Sequence, residues 1–232
     1  MRLGSLVLGK RPVLVGVLTG FSGKGALRNA LKIGIDAIEV RVDHFESREA
    51  APLMSLLEGL RGKGLPVITT VRSSREGGKY PISDRERIAL FSALMPLSDA
   101  VDIELSSIAP LNEIIRRARR SKKRVILSYH NFNSTPPKGR LERIIDRGNS
   151  EGGDIVKIAT TVRVAGDTRR LASLTLDHKN LVTIAMGSQG AASRIFFPLL
   201  GSLLTYAPIG DATAPGQMSL KVTRRELNRY YL

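Results

Sequence analysis

Apolar residues in this chain fall into short runs separated by polar stretches with helical spacing. Eight runs stand out, at 13–18, 37–42, 66–72, 101–105, 125–129, 155–159, 181–186 and 203–207. They are rich in Val and Ile and five to seven residues long, as expected of strands buried on both faces. Between them, positions such as Ala50, Leu53, Leu56, Leu57 and Leu60 recur at three- and four-residue intervals, the signature of an amphipathic helix. Strands alternating with such helices predict parallel βαβ units. Eight units without reversal or insertion predict an α/β chain closed into a (β/α)8 TIM barrel, a single domain over residues 1–232. A doubly wound open sheet is the alternative, but it usually has fewer strands and a phosphate-binding glycine loop. Gly20-Phe-Ser-Gly23-Lys-Gly25 fits neither the dinucleotide fingerprint nor the P-loop, and reads as a turn into a helix.

Alternate residues of a strand face opposite sides, so parity sorts the polar positions. Glu39, Arg41 and Asp43 share one face of the second run, opposite Ile38, Val40 and Val42. The same face holds Arg72 in the third run, Asp102 and Glu104 in the fourth, Ser128 and His130 in the fifth, and Lys157 in the sixth. With the apolar faces turned to the helices, Glu39, Arg41, Arg72, Glu104, His130 and Lys157 converge at the C-terminal mouth, where barrel enzymes build their sites. Burying six such groups without a use would be strongly unfavourable.

Composition narrows the chemistry. The chain has no cysteine, which excludes disulfides and thiolate metal sites, and only His44, His130 and His178 as imidazoles, so no metal is expected. No apolar run approaches the roughly 20 residues of a membrane span. The start, Met1-Arg-Leu-Gly-Ser-Leu-Val-Leu-Gly-Lys10, has too short an apolar core for a signal peptide and reads as a lead-in. A cytoplasmic enzyme without membrane attachment is the expectation. The formal charge of +15 raises nucleic-acid binding. Its main cluster, Arg116 to Arg124, is interleaved with apolar residues of an amphipathic helix, and the chain has no Trp and few aromatics for base stacking. Solvated outer faces, with no nucleic-acid partner, are the simpler reading.

Lys157 and His130 close two neighbouring apolar segments, about one βα repeat apart. A lysine buried beside other cations loses proton affinity and becomes a nucleophilic amine able to form an imine with a ketone or aldehyde. A histidine one strand away can move protons at the carbons beside that imine. Taken singly, the lysine could snorkel to solvent, the histidine could be a structural hydrogen-bonding residue, and Glu39 and Arg41 could be an internal ion pair. Their shared place at strand ends favours a Schiff-base enzyme. Glu76, in the polar loop Arg72-Ser-Ser-Arg-Glu76-Gly-Gly, is positioned to set the His130 tautomer, unless it pairs with Arg72 or Arg75 instead. Arg194, at the helix opening after the seventh run, suits a carboxylate. Thr213 and Gln217, after the eighth run, are candidate hydrogen-bonding groups over the mouth.

The segments Glu39-Val-Arg41-Val-Asp43, Arg72-Ser-Ser-Arg-Glu76-Gly-Gly, Ser128-Tyr-His130-Asn-Phe132, Asp154-Ile-Val-Lys157 and Ala214-Pro-Gly-Gln217 together resemble type I 3-dehydroquinate dehydratase, in the family's order and across nearly the whole chain. The resemblance implies a carbon–oxygen lyase of the shikimate pathway that converts 3-dehydroquinate to 3-dehydroshikimate by syn elimination of water, without metal or organic cofactor. Lys157 matches the Schiff-base lysine, His130 the general acid/base, Glu76 its carboxylate partner and Arg194 the arginine that holds the substrate carboxylate. Glu39, Arg41, Arg72 and Gln217 match positions that contact hydroxyls or order the pocket. Thr213 stands where the family often has serine, which preserves the hydroxyl. The short N-terminus implies that a hairpin closing the barrel floor in longer relatives is reduced or absent, and a homodimer is compatible with the family. A Schiff-base aldolase on the same barrel is the nearest rival, and a nucleic-acid-binding barrel that leaves Lys157 dispensable is a rival of another class.

Overall fold

The computed structural model describes residues 1–21, 24–210 and 217–231. Ten strands run in chain order: β1 (Arg2–Leu3), β2 (Leu6–Val7), β3 (Val13–Leu18), β4 (Ala37–Arg41), β5 (Val67–Thr70), β6 (Ala100–Glu104), β7 (Arg124–Asn131), β8 (Ile155–Thr161), β9 (Leu181–Met186) and β10 (Leu204–Pro208). Eight helices are interspersed: α1 (Lys24–Ile33), α2 (Ala50–Arg61), α3 (Asp84–Leu94), α4 (Ile108–Arg120), α5 (Lys138–Ser150), α6 (Ala165–Asp177), α7 (Ser193–Leu199) and α8 (Leu220–Tyr231). Strands β3 to β10 are the eight expected from the apolar runs, and all pair in parallel in the order β10-β3-β4-β5-β6-β7-β8-β9. The barrel is nearly closed between β9 and β10, where Leu203 N donates to Leu181 O at 3.0 Å. Among the described residues no helix is long and apolar enough to cross a membrane.

Register is locked from below by a device that recurs on alternate strands. Asp36, just before β4, accepts from Leu14 N of β3 at 2.8 Å. Asp99, before β6, accepts from Val67 N of β5 at 2.9 Å, and Asp154, before β8, from Val125 N of β7 at 2.9 Å. Ser202 takes the same part before β10, its Oγ accepting from Thr183 N of β9 at 3.1 Å. Each acceptor satisfies a strand-end amide that the ladder leaves unpaired. It also fixes the pairing, since a one-residue slip would exchange the inner and outer faces.

The N-terminal segment departs from its expectation. It is not a bare lead-in: β1 and β2 form a small antiparallel hairpin, reduced but present. Gly4 and Gly9 adopt the left-handed conformation (φ +53° and +83°) that the tight reversals need. Leu3 and Leu8 are buried with Val13, Ala37, Ile68, Ala100, Ile126, Ile155, Val182 and Leu204, and so plug the barrel floor. The Arg124 guanidinium clasps the hairpin by donating to Arg2 O at 2.9 Å.

Candidate active site

Inward positions change character along each strand on one side of the barrel. Ile155 gives way to Lys157 on β8, Ala37 to Glu39 on β4, and Ala100 to Asp102 on β6. Above them lies a cavity of about 190 Å3, lined by Glu39, Arg41, Arg72, Glu76, His130, Lys157, Arg194 and Gln217, with an apolar side that includes Val17, Ile184, Met186 and Tyr206. That volume suits a single small molecule rather than a drug-sized ligand. Apart from Glu104, the described residues expected at the mouth from the sequence border one space. Thr213 lies outside the described residues. Glu104 does not reach the cavity: it is buried between Arg72 (Nε to Oε1, 2.9 Å) and Arg87 (Nη2 to Oε2, 2.5 Å), and Ser73 N also donates to it.

Lys157 is 3% exposed. Its Nζ donates to Asp102 Oδ2 at 2.5 Å and lies 3.6 Å from Glu39 Oε1 and 4.8 Å from the centre of the Tyr206 ring. This corrects the expected surroundings of the lysine. In place of the cations expected around it, the groups nearest its nitrogen are two carboxylates and an aromatic face. The Glu39–Arg41 ion pair is likewise absent among the described contacts. Thr70 Oγ1 donates to Glu39 Oε1 at 2.7 Å, while Arg41 forks onto the Asp43 carboxylate at 3.0 and 2.8 Å. The chain leaves β4 at Arg41 and turns into a short 3-10 helix, which swings Asp43 off the strand to meet Arg41.

His130 sits two residues beyond Ser128, the register partner of Lys157, so imidazole and amine rise from adjacent strands. Its Nδ1 is 3.1 Å from Glu76 Oε2, and its backbone N–H donates to the same oxygen at 3.0 Å. Glu76 is delivered by a 3-10 turn at Ser74–Glu76 that Gly77 ends in the left-handed conformation (φ +83°). Its other oxygen accepts from Ser106 Oγ at 2.5 Å. Arg72 Nη1 lies against both ring nitrogens, 2.6 Å from Nδ1 and also beside Nε2; with Nδ1–H given to Glu76, the Nε2 lone pair is the basic position. Burial holds the His130 pKa well below the ordinary imidazole value, and the Arg72, Lys157 and Arg41 charges push the same way. The ring is therefore neutral near pH 7. Burial moves Glu76 upward, with the Ser106 hydroxyl opposing.

Arg72 also donates to Asp102 Oδ1 through Nη2 at 3.2 Å. Burial opposes its charge, but the carboxylates of Asp102, Glu104, Glu39 and Asp43 outweigh that and raise its pKa. Asp102 shows the converse balance. Burial would raise it, yet Lys157 and Arg72 hold it below the usual carboxylate range. Arg194 opens α7 on the apolar side of the cavity, with Nη1 donating to Tyr206 O at 3.4 Å. Burial brings its pKa down to about 10.

Sequence reasoning missed three parts of this site. Parity places Asp102 on the inner face, but it points to Glu104 as the group that reaches the mouth. The pairing of Asp102 with Ile126 sets it below Ser128 and under the amine, a level that only the strand stagger reveals. Tyr206 carried no signal beyond an apolar run, and Ser106 none at all.

Comparisons with known proteins identify the family. The family model for type I 3-dehydroquinase matches residues 19–231. A 3-dehydroquinate dehydratase of Methanococcoides burtonii is 36% identical over 231 residues, covering 98% of both chains. The crystal structure of the Aquifex aeolicus 3-dehydroquinate dehydratase superposes with a TM-score of 0.85 at 33% identity, covering 94% of this chain and 99% of that one. A type I enzyme from Clostridium difficile, solved with covalently modified comenic acid, gives 0.87 at 28% identity over 99% and 96% of the two chains. A buried lysine on one strand, a histidine on the next and a family match over residues 19–231 lead to one conclusion: the chain belongs to the type I 3-dehydroquinases.

Proposed function

We propose that this chain converts 3-dehydroquinate to 3-dehydroshikimate by syn elimination of water through an imine on Lys157. The observation that carries the reading is the side-by-side placement of the Lys157 amine and a neutral, Glu76-tethered His130 on one small cavity. The Lys157 nitrogen attacks the C3 ketone, and His130 relays protons as the carbinolamine loses water to give a protonated imine. The positive nitrogen withdraws electrons and acidifies the adjacent C2–H. His130 Nε2 takes that proton, and the resulting enamine expels the C1 hydroxyl as His130 returns a proton to it. Hydrolysis of the product imine frees the lysine. One base serving both proton steps requires both groups on one face of the ring, hence the syn course.

Arg194 is the partner of the substrate carboxylate, and Glu39, Arg41, Arg72 and Gln217 face the ring hydroxyls. Holding the ring from its carboxylate places C2 under the imidazole. No metal or organic cofactor is required by these steps. On this reading the basic outer helices are solvated faces rather than a nucleic-acid surface, the enzyme works in the cytoplasm, and a homodimer is compatible with it. Borohydride reduction in the presence of 3-dehydroquinate, followed by peptide mass spectrometry, is the direct test. An adduct on Lys157 is expected; folded protein giving neither adduct nor conjugated product would overturn the assignment.

A further inference from the structure

The carboxylate beneath the amine has no part in the steps above. Asp102 is fully buried and does not line the cavity, so substrate cannot reach it, yet its Oδ2 lies 2.5 Å from the nitrogen on which the reaction runs. Its other oxygen is pinned by Ser128 Oγ at 2.6 Å and Arg72 Nη2 at 3.2 Å, so the carboxylate cannot turn away. Glu39 is the only competing anion within 4 Å of Nζ among the described residues. It is farther off, at 3.6 Å, holds the Thr70 hydroxyl and faces the cavity, where substrate can engage it. The Tyr206 ring flanks the nitrogen, its centre 4.8 Å away.

We propose that Asp102 is the fixed counter-ion of the Lys157 nitrogen: it aims the amine into the cavity and then stabilises the positive charge of the protonated imine. Resting on the imine reading given above, this assigns Asp102 to the elimination rather than to substrate binding. Imine formation turns an ammonium and a ketone into a protonated imine and water, so the nitrogen is positive before and after that step. It becomes neutral when the C2–H electron pair flows in to form the enamine and positive again when the hydroxyl leaves, while Asp102 need not gain or lose a proton. Its effect falls on the elimination: it keeps the imine protonated so that C2–H is acidic, and it stabilises the positive charge that returns to nitrogen as the enamine expels the C1 hydroxyl. A fixed anion that costs no reorganisation at that moment is the kind of group electrostatic catalysis depends on.

Asp102→Asn keeps the shape and removes the charge. Expected are a fall in kcat of about 10²-fold, with KM changed less than about threefold, and trapped adducts that shift from product-derived toward substrate-derived. Without the anion the imine surrenders its proton more readily, so the alkaline limb of kcat moves to lower pH by about one unit or more. A merely structural aspartate would not move that limb. Ser128→Ala gives an independent reading should the first variant fail to fold. Loss of the hydroxyl leaves more negative charge facing the nitrogen, so the alkaline limb stays or rises. An Asp102→Asn enzyme with near-normal kcat and an unmoved limb, or a Ser128→Ala limb displaced toward acid, would overturn the proposal. Wild-type enzyme without a Lys157 adduct would instead remove the imine reading itself, and this inference with it.

Discussion

The floor and the mouth of this barrel are built from the same strands and obey opposite rules. At the floor, Ala37, Ile68, Ala100, Ile126 and Ile155 meet Leu3 and Leu8 of the hairpin in an apolar plug. At the next inward positions of those strands stand Glu39, Thr70, Asp102, Ser128 and Lys157, all buried and polar. The lower layer gains stability from removing apolar surface from water. The upper layer sacrifices that gain and is held by interlocking charge: Arg87 to Glu104, Glu104 to Arg72, Arg72 to Asp102, Asp102 to Lys157. Each charge there has an opposite neighbour, the condition under which buried ions are tolerated. The mouth divides again across the barrel. Strands β4 to β8 supply the ionic side, while Val17, Ile184, Met186 and Tyr206 from β3, β9 and β10 form the apolar side with Arg194 beyond it. A polyhydroxylated ring acid fits such an asymmetry, since its carboxylate and hydroxyls find different partners.

The contrast predicts that changes in the upper layer cost turnover more than stability, and changes in the lower layer the reverse. The largest expected effect is at Lys157. Lys157→Ala should lower kcat by at least about 10⁴-fold and abolish borohydride trapping together, read by steady-state assay and peptide mass spectrometry; retained turnover would end the covalent mechanism. His130→Ala comes next, with kcat reduced by about 10²–10⁴-fold. That variant should still trap substrate slowly on Lys157, and a near-normal kcat would show that another group moves the protons. Leu3→Ala tests the floor. Losing this side chain should cost about 2 kcal/mol and lower Tm by several degrees, while kcat of the folded enzyme stays within about twofold of wild type. A larger loss of activity than of stability would mean that the floor shapes the site after all.

How far the two layers were legible differs for a physical reason. The barrel itself was readable because parallel strands buried on both faces leave continuous Val- and Ile-rich runs, and β9 and β3 were found with the residues they actually contain. Parity then identified the inner face, which placed Lys157, His130, Glu39, Arg41 and Arg72 correctly around one space. Parity cannot give height. Neighbouring strands are staggered, so which inward residue of β6 sits beside the β8 lysine depends on register, and Asp102 was passed over in favour of Glu104. The lysine's environment was misjudged for the same reason, because its carboxylate lay one layer lower than the sequence could show. The hairpin was underestimated because two-residue strands carry too little periodicity to announce themselves, although Gly4 and Gly9 mark its reversals.

The finest test of the contrast is pH, which reaches the mouth and leaves the floor untouched. His130 is held neutral, its pKa depressed far below 6.5 by burial and then by Arg72, Lys157 and Arg41. In the unfolded chain the same imidazole takes a proton near 6.5, so below that pH the unfolded state binds more protons and stability falls as pH falls toward the folded value. Glu76 works in the opposite sense. Its pKa is raised, by burial first, so above the reference of 4.5 the unfolded carboxyl gives up its proton more readily and stability falls as pH rises through the folded value. The imidazole contribution should therefore appear as a loss of up to about 1.4 kcal/mol per pH unit just below 6.5, partly offset at lower pH by Glu76. His130→Ala should flatten that slope in denaturant titrations between pH 6.5 and 5, while Leu3→Ala should lower the whole curve without changing its shape. In kinetics the same depression keeps His130 basic on acidification, placing the acid limb of kcat/KM below the ordinary imidazole value. An acid limb at or above 6.5 would mean that His130 is not held neutral by its neighbours, and the ionic side of the mouth would lose its claim to tune the base.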